Sequence, residues 1–92
     1  MTAAAENPGS CWQVYLLRCA DESLYTGVTN DLAGRLSTHN KGAGAKYTRS
    51  RLPVQLVHAE PATDRSAALR REAAIKKLSR ADKLLLIKNH SG

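Results

Sequence analysis

The sequence predicts one α+β domain, a small three-stranded sheet in the order ββαβαα with helices flanking it. Three observations carry that expectation. Two apolar runs rich in β-branched and tyrosine side chains, Gln13 to Cys19 and Leu24 to Val28, are separated by Ala-Asp-Glu-Ser, which is a hairpin pattern. A third run, Val-Gln-Leu-Val-His-Ala after Pro53, alternates with period two and reads as another strand. Around these strands, apolar residues recur at helical spacing behind good capping residues. A chain of 92 residues has room for one core.

Taken in order, Met1 to Ser10 are small and polar without apolar periodicity and are expected to form a disordered tail, leaving 11–92 as the domain. The tail has neither the basic start nor the apolar run of a signal peptide. No stretch approaches the roughly 20 apolar residues that span a bilayer. A soluble, cytoplasmic protein is expected, with Cys11 and Cys19 reduced and structural, since neither has partners at metal-site spacing. After the hairpin, Asn30 or Asp31 caps a helix to about Asn40, with Leu32 and Leu36 one turn apart. Gly34 inside it costs about 1 kcal/mol relative to alanine. The polar, glycine-containing stretch from Lys41 to Leu52 reads as a surface loop. Thr63 or Asp64 caps a second helix through about Leu78, and Ser79 with Asp82 resembles a capping box for a third, ending near Asn89.

The net charge of +6 is uneven. Between Asp31 and Glu60 no acidic residue occurs, yet Arg35, Lys41, Lys46, Arg49 and Arg51 fall there with His39 among them. Such an excess repels itself unless an anion meets it, which favours nucleic acid as partner; a basic surface serving solubility is the alternative. The charges do not line one face of an amphipathic helix, which argues against a membrane partner. Glu72 has Ala68, Leu69 and Ile75 as helical neighbours, so it projects from a face expected to turn inward. A carboxylate there needs a metal, a hydrogen-bond network or a basic partner such as Arg35. Arg35 and His39, four apart, share a helix face and can act on one substrate group, the guanidinium as a fork for phosphate and the imidazole as donor or base. Tyr15 and Tyr25 lie in the two hairpin strands, and Tyr47 in the loop can stack on a base or cover the core edge. For Tyr15 and Tyr25 to share a sheet face, paired residue numbers must have an even sum, as with Ala20 opposite Leu24 around a three-residue turn.

In their joint order these residues resemble the GIY-YIG nuclease superfamily, in particular its small stand-alone bacterial branch. The matching segments are V-Y-L-L-R-C in the first strand, Y-T-G-V-T in the second, D-L-x-x-R-L-x-x-H in the first helix, G-A-K-Y-T-R from Gly44 to Arg49, and A-L-R-R-E in the second helix. The chain departs from the pattern in places. The first motif lacks its glycine and isoleucine, Thr26 replaces a common isoleucine, Val28 stands where some members have lysine, and Leu84 lies where an asparagine is frequent.

The resemblance implies a metal-dependent endonuclease acting on DNA and leaving a 5′-phosphate. In that scheme Tyr25 is the general base, Arg35 contacts the scissile phosphate, and Glu72 holds one Mg²⁺ or Mn²⁺. Tyr15 and His39 orient water and phosphate, with His39 the second candidate for the base, and Gly27 lets the backbone pass close to the site. Lys46, Tyr47, Arg49 and Arg51 are expected to bind nucleic acid. Related catalytic domains occur in excision-repair nucleases and homing endonucleases, which points to repair or recombination, and a monomer is expected. RNA stays open as a substrate, as do single-stranded, duplex and branched DNA. A nucleic-acid-binding module of the same fold without turnover is the alternative; against it, an inward glutamate in a phosphate site repels the ligand unless a cation intervenes.

Overall fold

A computed structural model of the chain describes residues 12–91. The tail expected over 1–10, and Cys11, lie outside the described residues. Strand β1 (Trp12–Arg18) and strand β2 (Leu24–Thr29) form the hairpin, followed by α1 (Leu32–Asn40), a single turn α2 (Lys46–Arg49), β3 (Gln55–Ala62), α3 (Arg65–Lys76) and α4 (Arg80–Ser91). The sheet is antiparallel throughout, in the order β2-β1-β3. As the central strand, β1 is buried on both faces, so its run Val14 to Leu17 is continuously apolar rather than alternating.

One face of β1 carries Val14 and Leu16 into a core with Ala68 and Ile75 of α3 and with Leu86 and Ile87 of α4. The opposite face carries Tyr15, Leu17 and the free thiol of Cys19 into a second core with Leu32 and Leu36 of α1 and with Val54. The sheet is thus covered on both sides, α1 on the tyrosine side and α3 with α4 on the other.

The hairpin register is even. Tyr15 faces Gly27 and Leu17 faces Tyr25, which puts the two tyrosines on one face. The turn lies one residue earlier than the Ala20–Leu24 example. Cys19 and Ser23 are bonded across it, and Glu22 takes a left-handed φ of 72°, as the last residue of a three-residue hairpin loop does.

Asp31 caps α1 through the Gly34 amide and Asp64 caps α3 through the Ala67 amide. The Ser79 hydroxyl accepts from the Asp82 amide at the start of α4. The stretch expected as a loop, Lys41 to Leu52, contains α2 instead. Thr48, fully buried, draws that segment inward, and the side chain of Asn40 pairs like a backbone with both polar groups of Val54. Leu69, expected on the inward face of α3, is exposed. The buried row is Ala68 and Ile75, and Glu72 lies at its edge with a half-buried side chain. Among the described residues no helix is long and apolar enough to cross a membrane.

Candidate active site

Tyr15 is the hub. It is 1% exposed, held opposite Gly27, where a Cβ would stand 2.5 Å from its hydroxyl oxygen. Glycine at that position is a steric necessity: any side chain would displace the ring. The Tyr15 hydroxyl lies 3.0 Å from Nε2 of His39, and Nδ1 of the same ring lies 2.9 Å from the Thr48 hydroxyl. Thr48 in turn donates to the Ala45 carbonyl at 2.9 Å. His39 is fully buried. Gly44 makes room for it, since a Cβ there would lie 2.8 Å from the imidazole Cγ.

The electrostatics follow from this packing. Burial raises the Tyr15 pKa; the neighbouring Arg35 opposes that by hydrogen bonding and charge, and Tyr25 and Glu72 add to the rise. Burial, with the Arg35 charge behind it, lowers the His39 pKa and keeps the ring neutral at pH 7. Both ring nitrogens of His39 face protein partners rather than solvent.

Tyr25 packs on this group from the mouth of the site. Its ring centroid is 6.4 Å from that of Tyr15 and 5.4 Å from that of His39. Among the described residues its hydroxyl has no hydrogen-bond partner. Tyr47 stacks on Tyr25 at 6.1 Å, and the Arg51 guanidinium lies 3.9 Å from the centroid of the Tyr47 ring. Tyr47 thus contacts both Tyr25 and Arg51 while its ring stays partly exposed. Arg51 also donates to Asp21 at 3.0 Å and to the Tyr47 carbonyl at 2.8 Å, which ties the basic segment to the hairpin turn. Lys46 and Arg49 are exposed and form no ion pair among the described residues.

Glu72 lies on α3, which packs on the sheet face opposite the tyrosines, yet its charge is felt at Tyr15. The arginine pair considered for it from sequence does not form: its ion pair is with Lys76, one turn on, at 3.4 Å. Arg35 has no carboxylate partner among the described residues. No group of three or more histidine, cysteine or acidic side chains suited to a metal occurs among them either, so Glu72 offers a single carboxylate. That donor set fits Mg²⁺ or Mn²⁺, which keep most of their waters and take one or two carboxylates together with substrate phosphate.

Composition did not single out Lys76 and Lys83. With Leu24, Tyr25, Thr26 and Tyr47 they line an open pocket of about 230 Å³ along the exposed edge of β2. Helical spacing from Glu72 was the one signal in the sequence for Lys76; Thr48 had none, because a threonine in a polar loop reads as solvated.

The family model of the GIY-YIG catalytic domain matches residues 11–85. A UPF0213 protein of Natronomonas pharaonis is 53% identical over 79 residues, covering 86% of this chain and 93% of the relative. One from Syntrophus aciditrophicus is 56% identical over 78 residues, covering 84% and 90%. The solution NMR structure of a UPF0213 protein from Bacillus halodurans superposes with a TM-score of 0.59 at 41% identity, covering 89% of this chain and 87% of that one. A protein from E. faecalis, also solved by NMR, gives a TM-score of 0.59 at 43% identity, covering 86% and 84%. With the fold, the paired tyrosines and the match over most of its length, the chain belongs to the GIY-YIG catalytic-domain family, a family of nucleases.

Proposed function

We propose that the chain is a metal-dependent endonuclease that hydrolyses DNA phosphodiester bonds as a monomer and leaves a 5′-phosphate. One observation carries this reading: Arg35 stands without a carboxylate partner among the described residues, beside Tyr15 and His39, and Tyr15 also feels the charge of Glu72. A half-buried guanidinium left in that state is suited to an arriving phosphate, which it can clamp through two parallel N–H donors.

Arg35 binds a non-bridging oxygen of the scissile phosphate and meets the charge that grows there in the transition state. Tyr25, whose hydroxyl is uncommitted and at the mouth, takes the proton from the attacking water. Tyr15, with its hydroxyl tied to His39, orients that water, and His39 acts through Tyr15 rather than as the base. Glu72 would hold one Mg²⁺ or Mn²⁺, which supplies positive charge to stabilise the leaving oxygen. Lys46 and Arg49 bind the flanking backbone, while Tyr47 and Arg51 build the rim that keeps Tyr25 in place.

The test uses labelled single-stranded, duplex and branched DNA, and RNA, with and without Mg²⁺ or Mn²⁺. Metal-dependent cleavage of DNA is expected, and Tyr25→Phe should slow single-turnover cutting by about 10²- to 10⁴-fold, the usual loss for a general base, with affinity retained. Cutting by Tyr25→Phe at the wild-type rate would reassign the base. If the wild-type protein cleaves no nucleic acid with either metal, it is a binding module of this fold.

A further inference from the structure

The segment Gly44 to Arg49 reads from its sequence as a phosphate-binding loop, yet its most buried side chain points the other way. Thr48, within the single turn of α2, is fully buried against His39, and Gly44 lacks the side chain that would collide with the same ring. The segment is built as a seat for the imidazole.

That seat bears on where one proton sits. A threonine hydroxyl has one hydrogen, and Thr48 directs it to the Ala45 carbonyl. Towards His39 it then offers only lone pairs, so Nδ1 must carry the hydrogen of that 2.9 Å contact. A neutral imidazole has one N–H, and burial with the Arg35 charge keeps this ring neutral. Nε2 is left as an acceptor for the Tyr15 hydroxyl 3.0 Å away. The charge balance at Tyr15 agrees: the positive charge of Arg35, which acts on the Tyr15 hydroxyl, favours the hydroxyl hydrogen pointing towards His39.

We propose that Thr48 is a positioning residue that sets the polarity of the Tyr15 hydroxyl, by holding His39 in the Nδ1–H tautomer so that Tyr15 donates inward and turns its lone pairs to the site. In the opposite tautomer Nε2–H would donate to Tyr15, and the tyrosine hydrogen would face the substrate instead. An acceptor at Tyr15 takes a hydrogen bond from the attacking water and aims the water's own lone pair outward; a donor there would occupy that lone pair. The effect on cleavage rests on the endonuclease reading above, whereas the tautomer does not.

Long-range ¹H–¹⁵N spectra of the histidine side chains of the full-length protein, compared with a His39→Gln variant for assignment, report the tautomer directly. The wild-type protein should show His39 protonated at Nδ1. Thr48→Val, which keeps the shape and removes the hydroxyl, should move the population to Nε2–H and lower the single-turnover rate about 10- to 100-fold, as loss of a partner that orients a functional histidine does. Thr48→Ser should restore both the tautomer and most of the rate. An Nε2–H signal in the wild-type protein overturns the proposal, and that spectrum decides even if Thr48→Val does not fold. So does an Nδ1–H signal that persists in folded Thr48→Val. Should the expected tautomer be found in a protein that cuts nothing, the polarity assignment stands and the endonuclease reading fails.

Discussion

At Gly27 the absence of a side chain decides whether the site exists. Gly27→Ala places a methyl group against the Tyr15 hydroxyl, and the ring, packed between the sheet and α1, has little room to yield. Overpacking of this kind costs about 1 to 3 kcal/mol, so urea unfolding should show that loss, and cleavage should fall with it. His39 gives a pH signature. Its folded pKa is lowered by burial and then by Arg35, so the native state keeps it neutral where the unfolded chain would take a proton. Its contribution is therefore present above the unfolded pKa of about 6.5 and is lost as pH falls through the lower folded value. The stability advantage of wild type over His39→Gln should shrink between pH 7.5 and pH 5, and a gap that widens on acidification would contradict the buried neutral ring. Tyr15, Tyr25, Arg35, His39 and Glu72 were readable as candidates because each is a chemically distinctive side chain in a recognisable segment. Thr48 and Gly44 were not, since their roles exist only once α1 and α2 meet.

Helix α3 carries Glu72, the proposed metal ligand, and its placement depends on two devices. Asp64 caps its first turn, accepting from the Ala67 amide at 2.8 Å. Arg71 ties it to β3 through Glu60, which His58 also contacts at 2.7 Å. Burial works against the Glu60 charge, but hydrogen bonds from Arg71 and His58 outweigh it and hold the carboxyl below its usual range. Asp64→Ala should cost about 0.5 to 2 kcal/mol in unfolding experiments, a typical loss for an N-cap. An unchanged midpoint would mean that the cap contributes nothing to the helix. The strands and long helices were legible because periodicity and capping are local: Asp31, Asp64 and Ser79 were all readable as caps. What the local pattern left out was long-range. Nothing near Arg51 in sequence announces that Asp21, thirty positions earlier, will take its guanidinium. Leu69 was expected inward because it is apolar, but the next helical row, Ala68 with Ile75, is the one that meets the sheet.

Across the whole molecule, the two-sided cover of the sheet separates two functions of burial. The α3 and α4 side holds an apolar core, while the α1 side seats the tyrosine–histidine group near Arg35, which has no carboxylate partner among the described residues. The excess of positive charge concentrated between Asp31 and Glu60 should make DNA affinity fall steeply with salt. Lys46 and Arg49 are uncommitted, so replacing both with alanine should shrink the log–log salt slope on duplex DNA by about 2 units, near 0.9 for each phosphate that is no longer neutralised. Arg51→Ala should change the slope less and the stability more, because its guanidinium is spent on Asp21 and Tyr47. An unchanged slope in the double variant would move the binding surface, with the lysine-lined pocket beside β2 the next place to examine.

The central claim, that one carboxylate on α3 turns a nucleic-acid-binding surface into a nuclease, is tested most directly with Glu72→Gln. The change keeps the side-chain shape and removes only a partly exposed i,i+4 pair with Lys76, worth about 0.3 to 0.5 kcal/mol, so the fold should survive. DNA binding and single-turnover cleavage are measured on the same folded sample in Mg²⁺. Affinity equal to or tighter than wild type, with cleavage abolished, is the expected result, because the substitution would remove the proposed metal ligand and the repulsion of phosphate together. Cleavage at the wild-type rate by the folded variant would contradict the account.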